Sequence, residues 1–231
     1  MNDAKDLSLV LKSRFPIILI DTHDEPRALA LLENLTNLAE QAFFAWTATS
    51  GIRRVLRKES VPQTDELVDA LRHIEKTPQN GVYAMLDAHP WLNDPINLRL
   101  IREIALGYQK VARTLVFISP KVELPAELLK MSARFALSVL NADGVAALIG
   151  EEAALWMREQ GETEMPKGSR EATRLIGQHL SGMSRDDARR LIRQAIRDDN
   201  QLDMEDVARV LKYKHESMAA DSLLSLELDT R

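Results

Sequence analysis

The chain has 231 residues, long enough for one α/β domain with a smaller second one. Hydrophobic residues make up 45% and charged residues 28%, ordinary globular proportions that exclude a disordered tail or a fibrous protein. A formal net charge of -5 argues against a surface built as a whole to hold a polyanion, and the absence of cysteine removes disulfides, thiolate metal sites and cysteine nucleophiles. The five histidines are scattered, no run reaches about 18 apolar residues, and Met1 to Asp6 is polar, so the expectation is a soluble, cytoplasmic protein without membrane contact.

Residues 1–140 alternate short apolar runs with stretches of helical period, which predicts a parallel α/β sheet. The first strand is Pro16 to Ile20. Asp24 is placed to cap the helix that follows and Pro26 to sit in its first turn, with Ala28, Leu31, Leu32, Leu35, Leu38 and Ala39 on one face. Ala42 to Trp46 is a second strand. Arg53, Arg54, Arg57 and Lys58 then form a basic cluster read as a loop or short helix, before a helix from about Thr64. Val82 to Leu86 is a third strand ending at Asp87, Thr114 to Ile118 a fourth, and Arg134 to Leu140 a fifth. From Asn141 the strand pattern stops, and three or four helices are separated by Gly161 to Gly168, Ser181-Gly182 and Asp198 to Asn200. The expected division is an α/β subdomain over 1–140, a helical lid over 141–215, and a tail or linker over 216–231. Within that tail the alternation Leu224, Leu226, Leu228 suits an added edge strand.

Ligands of open α/β sheets bind at the carboxyl ends of the strands. After the first strand a phosphate-binding loop would offer glycines, whose backbone N–H groups approach phosphate, and a lysine to neutralise it. This chain instead has Asp21-Thr22-His23-Asp24-Glu25-Pro26-Arg27, without glycine or lysine and with three acids. Asp87 ends an apolar strand in the manner of a Walker B carboxylate, but Ala88 stands where a second acid would position water. The other reading of Asp87 is a carboxylate bonded to the backbone of the following turn, with His89 packed beside Pro90 and Trp91. Ser119, before Pro120, suits either a polar sensor or a turn.

A five-strand α/β module with this third strand and a helical lid resembles the AAA+ ATPase module. In detail the chain resembles the AAA-type ATPases of bacteria, cyanobacteria and algal plastids named after hypothetical chloroplast reading frame forty-six. The resemblance rests on Leu11-Lys12-Ser13-Arg14-Phe15-Pro16 with Thr22-His23-Asp24-Glu25, on Trp46-Thr47-Ala48-Thr49-Ser50-Gly51-Ile52, on Asp87-Ala88-His89-Pro90-Trp91-Leu92, and on Gly182-Met183-Ser184-Arg185-Asp186-Asp187-Ala188. It implies a degenerate first half without a phosphate loop, followed in the family by a half that hydrolyses nucleotide. The chain matches the first half, so it is expected to be either a fragment of an ATPase or a free-standing relative. No catalytic, cofactor-binding or metal residue carries over, Asp87 being at most a vestige of Walker B. Arg134-Phe135 resembles the pair that ends the arginine-finger segment of many AAA+ proteins.

Residues 167–214 carry 11 Lys and Arg against 8 Asp and Glu. Arg185, Arg189, Arg193 and Arg197 recur every four residues and stack on one helix face. With Arg53, Arg54, Arg57 and Arg134 they are the candidate interface residues, against the plainer reading of solvated rims. The leading expectation is a non-catalytic assembly or regulatory module. Its partner would be a second copy or a nucleotide-hydrolysing AAA+ module, and ATP with Mg²⁺ would enter only with the hydrolytic half. The alternatives are an ATPase fragment and a nucleic-acid module using the Arg-rich helix, the last disfavoured because no aromatic residues interleave the arginines.

Overall fold

A computed structural model describes residues 3–57, 59–161, 167–199 and 201–228. The chain forms two compact units, Met1–Ser138 and Val139–Arg231.

The first unit runs α1 (Asp3–Lys12), β1 (Ile17–Asp21), α2 (Glu25–Leu38), β2 (Ala42–Thr47), β3 (Gly51–Arg54), β4 (Glu59–Ser60), α3 (Leu67–Lys76), β5 (Gly81–Leu86), α4 (Pro95–Leu106), β6 (Arg113–Ser119), α5 (Ala126–Leu129) and β7 (Ser132–Phe135). The strands form one sheet in the order β4-β3-β2-β5-β6-β1-β7. From β2 to β7 the neighbours are parallel, and β3 and β4 extend the β2 edge antiparallel. The five parallel strands are the expected ones, and β1 lies between β6 and β7, with Leu19 level with Phe117 on one side and Arg134 on the other.

Every residue of β5 is buried, as is β6 from Thr114 onward, because a parallel sheet is covered on both faces. Strand alternation sends Ile17, Leu19, Trp46, Met85 and Phe117 to the face packed by Leu67, Leu71 and Ile74 of α3 and by Ile101 and Ile104 of α4. It sends Ile18, Ile20, Phe43, Ala84 and Val116 to the other, against Leu7 of α1 and Ala28 and Leu32 of α2. Both Asp-Pro helix starts are built alike. Asp24 accepts the Arg27 N–H ahead of α2, and Asp94 accepts those of Ile96 and Asn97 ahead of α4.

Three elements of this unit depart from the sequence reading. Helix α1 was not anticipated, although Leu7, Val10 and Leu11 hold helical spacing and pack on the sheet. Residues 51–54 are strand rather than loop or helix, and Arg53 and Arg54 pair with Ala45 and Phe44. Lys58, the fourth member of that basic cluster, lies outside the described residues. The last parallel strand ends at Phe135, five residues short of Leu140, and the chain is then tied to α1 and α2. The Ser138 N–H donates to Asp3 Oδ1 at 3.1 Å, and the Ser138 carbonyl accepts from Arg27 at 3.0 Å.

Among the described residues the second unit has four helices, α6 (Ala142–Gln160), α7 (Arg170–Leu180), α8 (Arg185–Asp199) and α9 (Met204–Leu228), and a two-residue parallel pair, β8 (Lys167–Gly168) with β9 (Gln201–Leu202). Asn141 caps α6 through the Gly144 N–H, and Gly161, at φ 71°, ends it in the left-handed conformation. Leu148, Trp156, Ile176, Leu180, Ile192, Ile196 and Val210 form the core. Helix α9 continues through 216–228, where an edge strand was expected. Alanine, leucine and glutamate favour helix in that stretch, and three alternating leucines are too short a pattern to override them.

The β2–β3 hairpin depends on Thr64. Its Oγ1 accepts the Ile52 N–H at 2.8 Å and donates to Val61, while its carbonyl accepts the Trp46 indole N–H at 2.7 Å. Gly51 sits against this hub at φ +61°, where a Cβ would lie 2.6 Å from Thr64 Oγ1. Gly51→Ala is expected to cost about 1–3 kcal/mol from the positive φ alone, read as a lowered midpoint in urea denaturation.

Candidate functional site

The carboxyl ends of β1, β5 and β6 converge where an α/β protein places its ligand. Only Thr22, His23 and Asp24 separate β1 from α2. The Thr22 N–H donates to the Ser119 carbonyl at 2.9 Å and the Asp24 N–H to Thr22 Oγ1 at 2.9 Å. The Arg27 N–H donates to Asp24 Oδ1 at 3.2 Å, the Ala28 N–H to the Asp24 carbonyl at 3.2 Å, and Pro26 has no N–H. A phosphate at a helix N-terminus needs those donors turned outward. Here a buried carboxylate of the chain itself takes the capping position.

Asp87, which follows β5, adopts φ 49° and passes its backbone N–H to the Ile118 carbonyl at 3.0 Å. Its carboxylate is exposed and takes no hydrogen bond from the Ala88-His89-Pro90 turn, contrary to the structural reading of this residue. The turn closes through its own backbone, the Trp91 N–H donating to the Ala88 carbonyl at 3.1 Å. Beside Asp87, Glu25 is half-buried, and its pKa is raised by burial first and by the Asp87 charge second. His89 reaches back to the end of β6. Its Nδ1 lies 3.2 Å from Ser119 Oγ, and Trp91 meets Trp46 edge to face at 6.0 Å. Ser119 is buried, and its hydroxyl also lies 2.7 Å from the Ile118 carbonyl, which can take its proton. Among the described residues no group of three or more His, Asp or Glu is disposed to hold a metal ion.

Arg134, on β7, is engaged within its own unit. It forms an ion pair with Asp21 and donates to the Val122 carbonyl at 3.0 Å, while Asp21 Oδ1 accepts the Val122 N–H at 2.9 Å. The arginine thus straps the segment after β6 to the end of β1. The four arginines that recur every four residues along α8 face carboxylates of α6, while Arg190 pairs with Asp187 of its own helix. Arg185 and Arg189 bind Glu151 at 2.8 and 3.0 Å, Arg189 and Arg193 bind Glu152 at 3.1 and 2.8 Å, and Arg197 binds Glu159. Glu152 is buried, which sequence periodicity on α8 alone could not show. Burial works upward on the Glu151 pKa, and the bonds and charges of Arg185 and Arg189 together outweigh it and lower it. Of the basic hairpin residues, Arg54 lies over the Phe44 ring at 5.9 Å, while Arg53 and Arg57 are exposed.

The first strand inserted between the fourth and fifth, an aspartate after the third, and a following helical unit define the AAA+ architecture. Two variants of Thermotoga maritima RuvB superpose with TM-scores of 0.56 and 0.54 at 13% and 14% identity, each match covering 92% of this chain and 68% of RuvB. The profile of the SpoVK-like AAA ATPase N-terminal domain matches residues 3–137, that of the second domain of these proteins matches residues 143–221, and the chain belongs to this SpoVK-like AAA family. It is also 27% identical over 128 residues to the uncharacterized AAA domain-containing protein ycf46 of Pyropia yezoensis, and 28% identical over 131 residues to that of Guillardia theta. These matches cover 54% and 55% of this chain, and the chain spans about a quarter, 26%, of each relative.

Three variants test the electrostatics. Glu25 has a raised folded-state pKa, so its carboxylate opposes folding once pH rises through that value. Glu25→Gln is therefore expected to stabilise the protein at pH 7, with the gain vanishing below the ordinary glutamate pKa, where both side chains are neutral; thermal melts across pH check it. Removing Arg189 and Arg193 together strips a buried carboxylate of both partners at a cost of about 3–5 kcal/mol. Arg197→Ala, at an exposed pair, should cost under about 1 kcal/mol in the same melts.

Proposed function

We propose that this chain is an assembly or regulatory module of AAA+ type that binds no nucleotide at its own strand ends and acts by association, with a second copy or with a nucleotide-hydrolysing AAA+ module. One observation carries the reading: three residues join β1 to α2, and Asp24 caps that helix where a phosphate would have to sit. A triphosphate placed there would meet Asp21, Asp24 and Glu25 before any lysine. The exposed Arg53 and Arg57 are the candidates for contact with a partner module, since Arg134 and the α8 arginines already hold carboxylates of their own unit.

A second reading, that the chain is one part of a longer ATPase, draws on the quarter-length match to relatives whose names carry an AAA domain. Both readings give the same expectation for this chain alone. The nucleic-acid reading loses its main support, because the α8 arginines are bound to Glu151, Glu152 and Glu159. Among the described residues no helix is long and apolar enough to cross a membrane.

Calorimetry of the chain with ATP and Mg²⁺ should show no binding in the micromolar range, and saturable micromolar binding would overturn the proposal. Sedimentation at rising concentration, for wild type and Arg53→Glu/Arg57→Glu, tests association with a second copy. A mass that rises for the wild type and not for the variant supports contact through the hairpin.

A further inference from the structure

On the α2 side of the sheet, β2 and β3 project beyond the helix and leave a cleft of about 540 Å³. That volume falls within the range of small-molecule sites. The register of the hairpin sets Arg53 level with Ala45, on the strand face that also carries Val55. Leu29 of α2 and Leu86 at the end of β5 complete an apolar wall.

The polar groups of this cleft converge on a negative charge. Arg53 lines it and has no carboxylate partner among the described residues, whereas Arg27, Arg134 and the α8 row all do; Arg54, one residue on, turns to the opposite strand face over the Phe44 ring. Three hydroxyls at the hairpin turn, Thr47, Thr49 and Ser50, share two contacts, at 3.2 and 2.6 Å. Three protons over two contacts leave one to donate to a ligand oxygen. Glu25 is the acid in the lining, and its burial together with Asp87 pushes it towards the neutral form, which reduces its repulsion of an anion.

We propose that the cleft between α2 and the β2–β3 hairpin binds a small amphipathic organic anion, its phosphate or carboxylate head held by Arg53 and a hairpin hydroxyl and its apolar body against Leu29, Ala45, Val55 and Leu86. A guanidinium suits the planar or tetrahedral oxygens of such a head. In the sheet β5 and β6 separate β2 from β1, and the cleft shares Glu25 with the β1–α2 connection.

Isothermal titration with 1-naphthyl phosphate, inorganic phosphate, 1-naphthol and 1-naphthoate tests the proposal on the full chain. Naphthyl phosphate or naphthoate should bind at least about tenfold more tightly than phosphate or naphthol alone, since head and body each contribute. The tighter of the two identifies the head as phosphate or carboxylate. Arg53→Gln should weaken that ligand at least about tenfold. Ala45→Leu should exclude it by filling the floor, while circular dichroism confirms that both variants remain folded. No saturable binding of either anion at millimolar concentration, or an affinity unchanged in the folded arginine variant, would overturn the assignment.

Discussion

A parallel sheet is stable only with both faces out of water, and in the first unit this requirement falls unequally on the helices. Helices α3 and α4 lie on one face, where Leu71, Ile74, Ile101 and Ile104 are fully buried. On the other face α2 shields Phe43 and Ala84, with α1 beside it towards β7. The pair is held by Arg27, which joins Asp3 of α1 and both the carbonyl and the hydroxyl of Ser138. With α2 fixed there, its amino end is committed to the β1 terminus, and β3 and β4 are left with one face uncovered. The strand-end site and the hairpin cleft both follow from where that one helix must lie.

At the strand ends, the proposed lack of nucleotide binding rests on donors and loop length. A loop of three residues cannot wrap a phosphate with backbone N–H groups, and one helix position is already a proline. Asp24 supplies a negative charge at the helix N-terminus, where the dipole favours one. A covalently attached carboxylate needs no metal to neutralise it and is present at unit occupancy, so the helix end is stable without a ligand. The neighbouring carboxylates Asp21, Glu25 and Asp87 are then managed separately, by an arginine strap, by a shift toward the neutral form, and by exposure to water.

What could be read from the sequence were the features whose cause is local. Apolar runs such as Ile17 to Ile20 and Val82 to Leu86 announce buried strands, and Asp24-Glu25-Pro26 announces a capped helix, because each signal lies within a few residues. Helix α1 escaped because Leu7, Val10 and Leu11 stand among charges and show their face only against β1 and β7. Strand β3 escaped because consecutive arginines look like a solvated loop, and only the pairing with Phe44 and Ala45 makes them strand residues. The partners of Ser119 and Arg134 lie 30 and 113 residues away along the chain, so no local pattern could join them. On α8 the four-residue spacing of arginines was visible, but the carboxylates they meet belong to α6.

That α6–α8 ladder fixes how far one helix can slide along the other. From Arg185 to Arg197 the partners advance from Glu151 to Glu159, so the two helices run in the same direction. Side by side, such helices gain nothing from their dipoles, and their apolar faces of alanine, leucine and isoleucine would tolerate more than one axial offset. A slip of one turn, about 5.4 Å, would carry Arg193 from Glu152 to Trp156 and put Arg189 in its place. Glu151, Glu152 and Glu159 do not repeat at the four-residue spacing of the arginines, and the observed offset pairs all four, so the row acts as a vernier between surfaces that hydrophobic packing alone would leave degenerate.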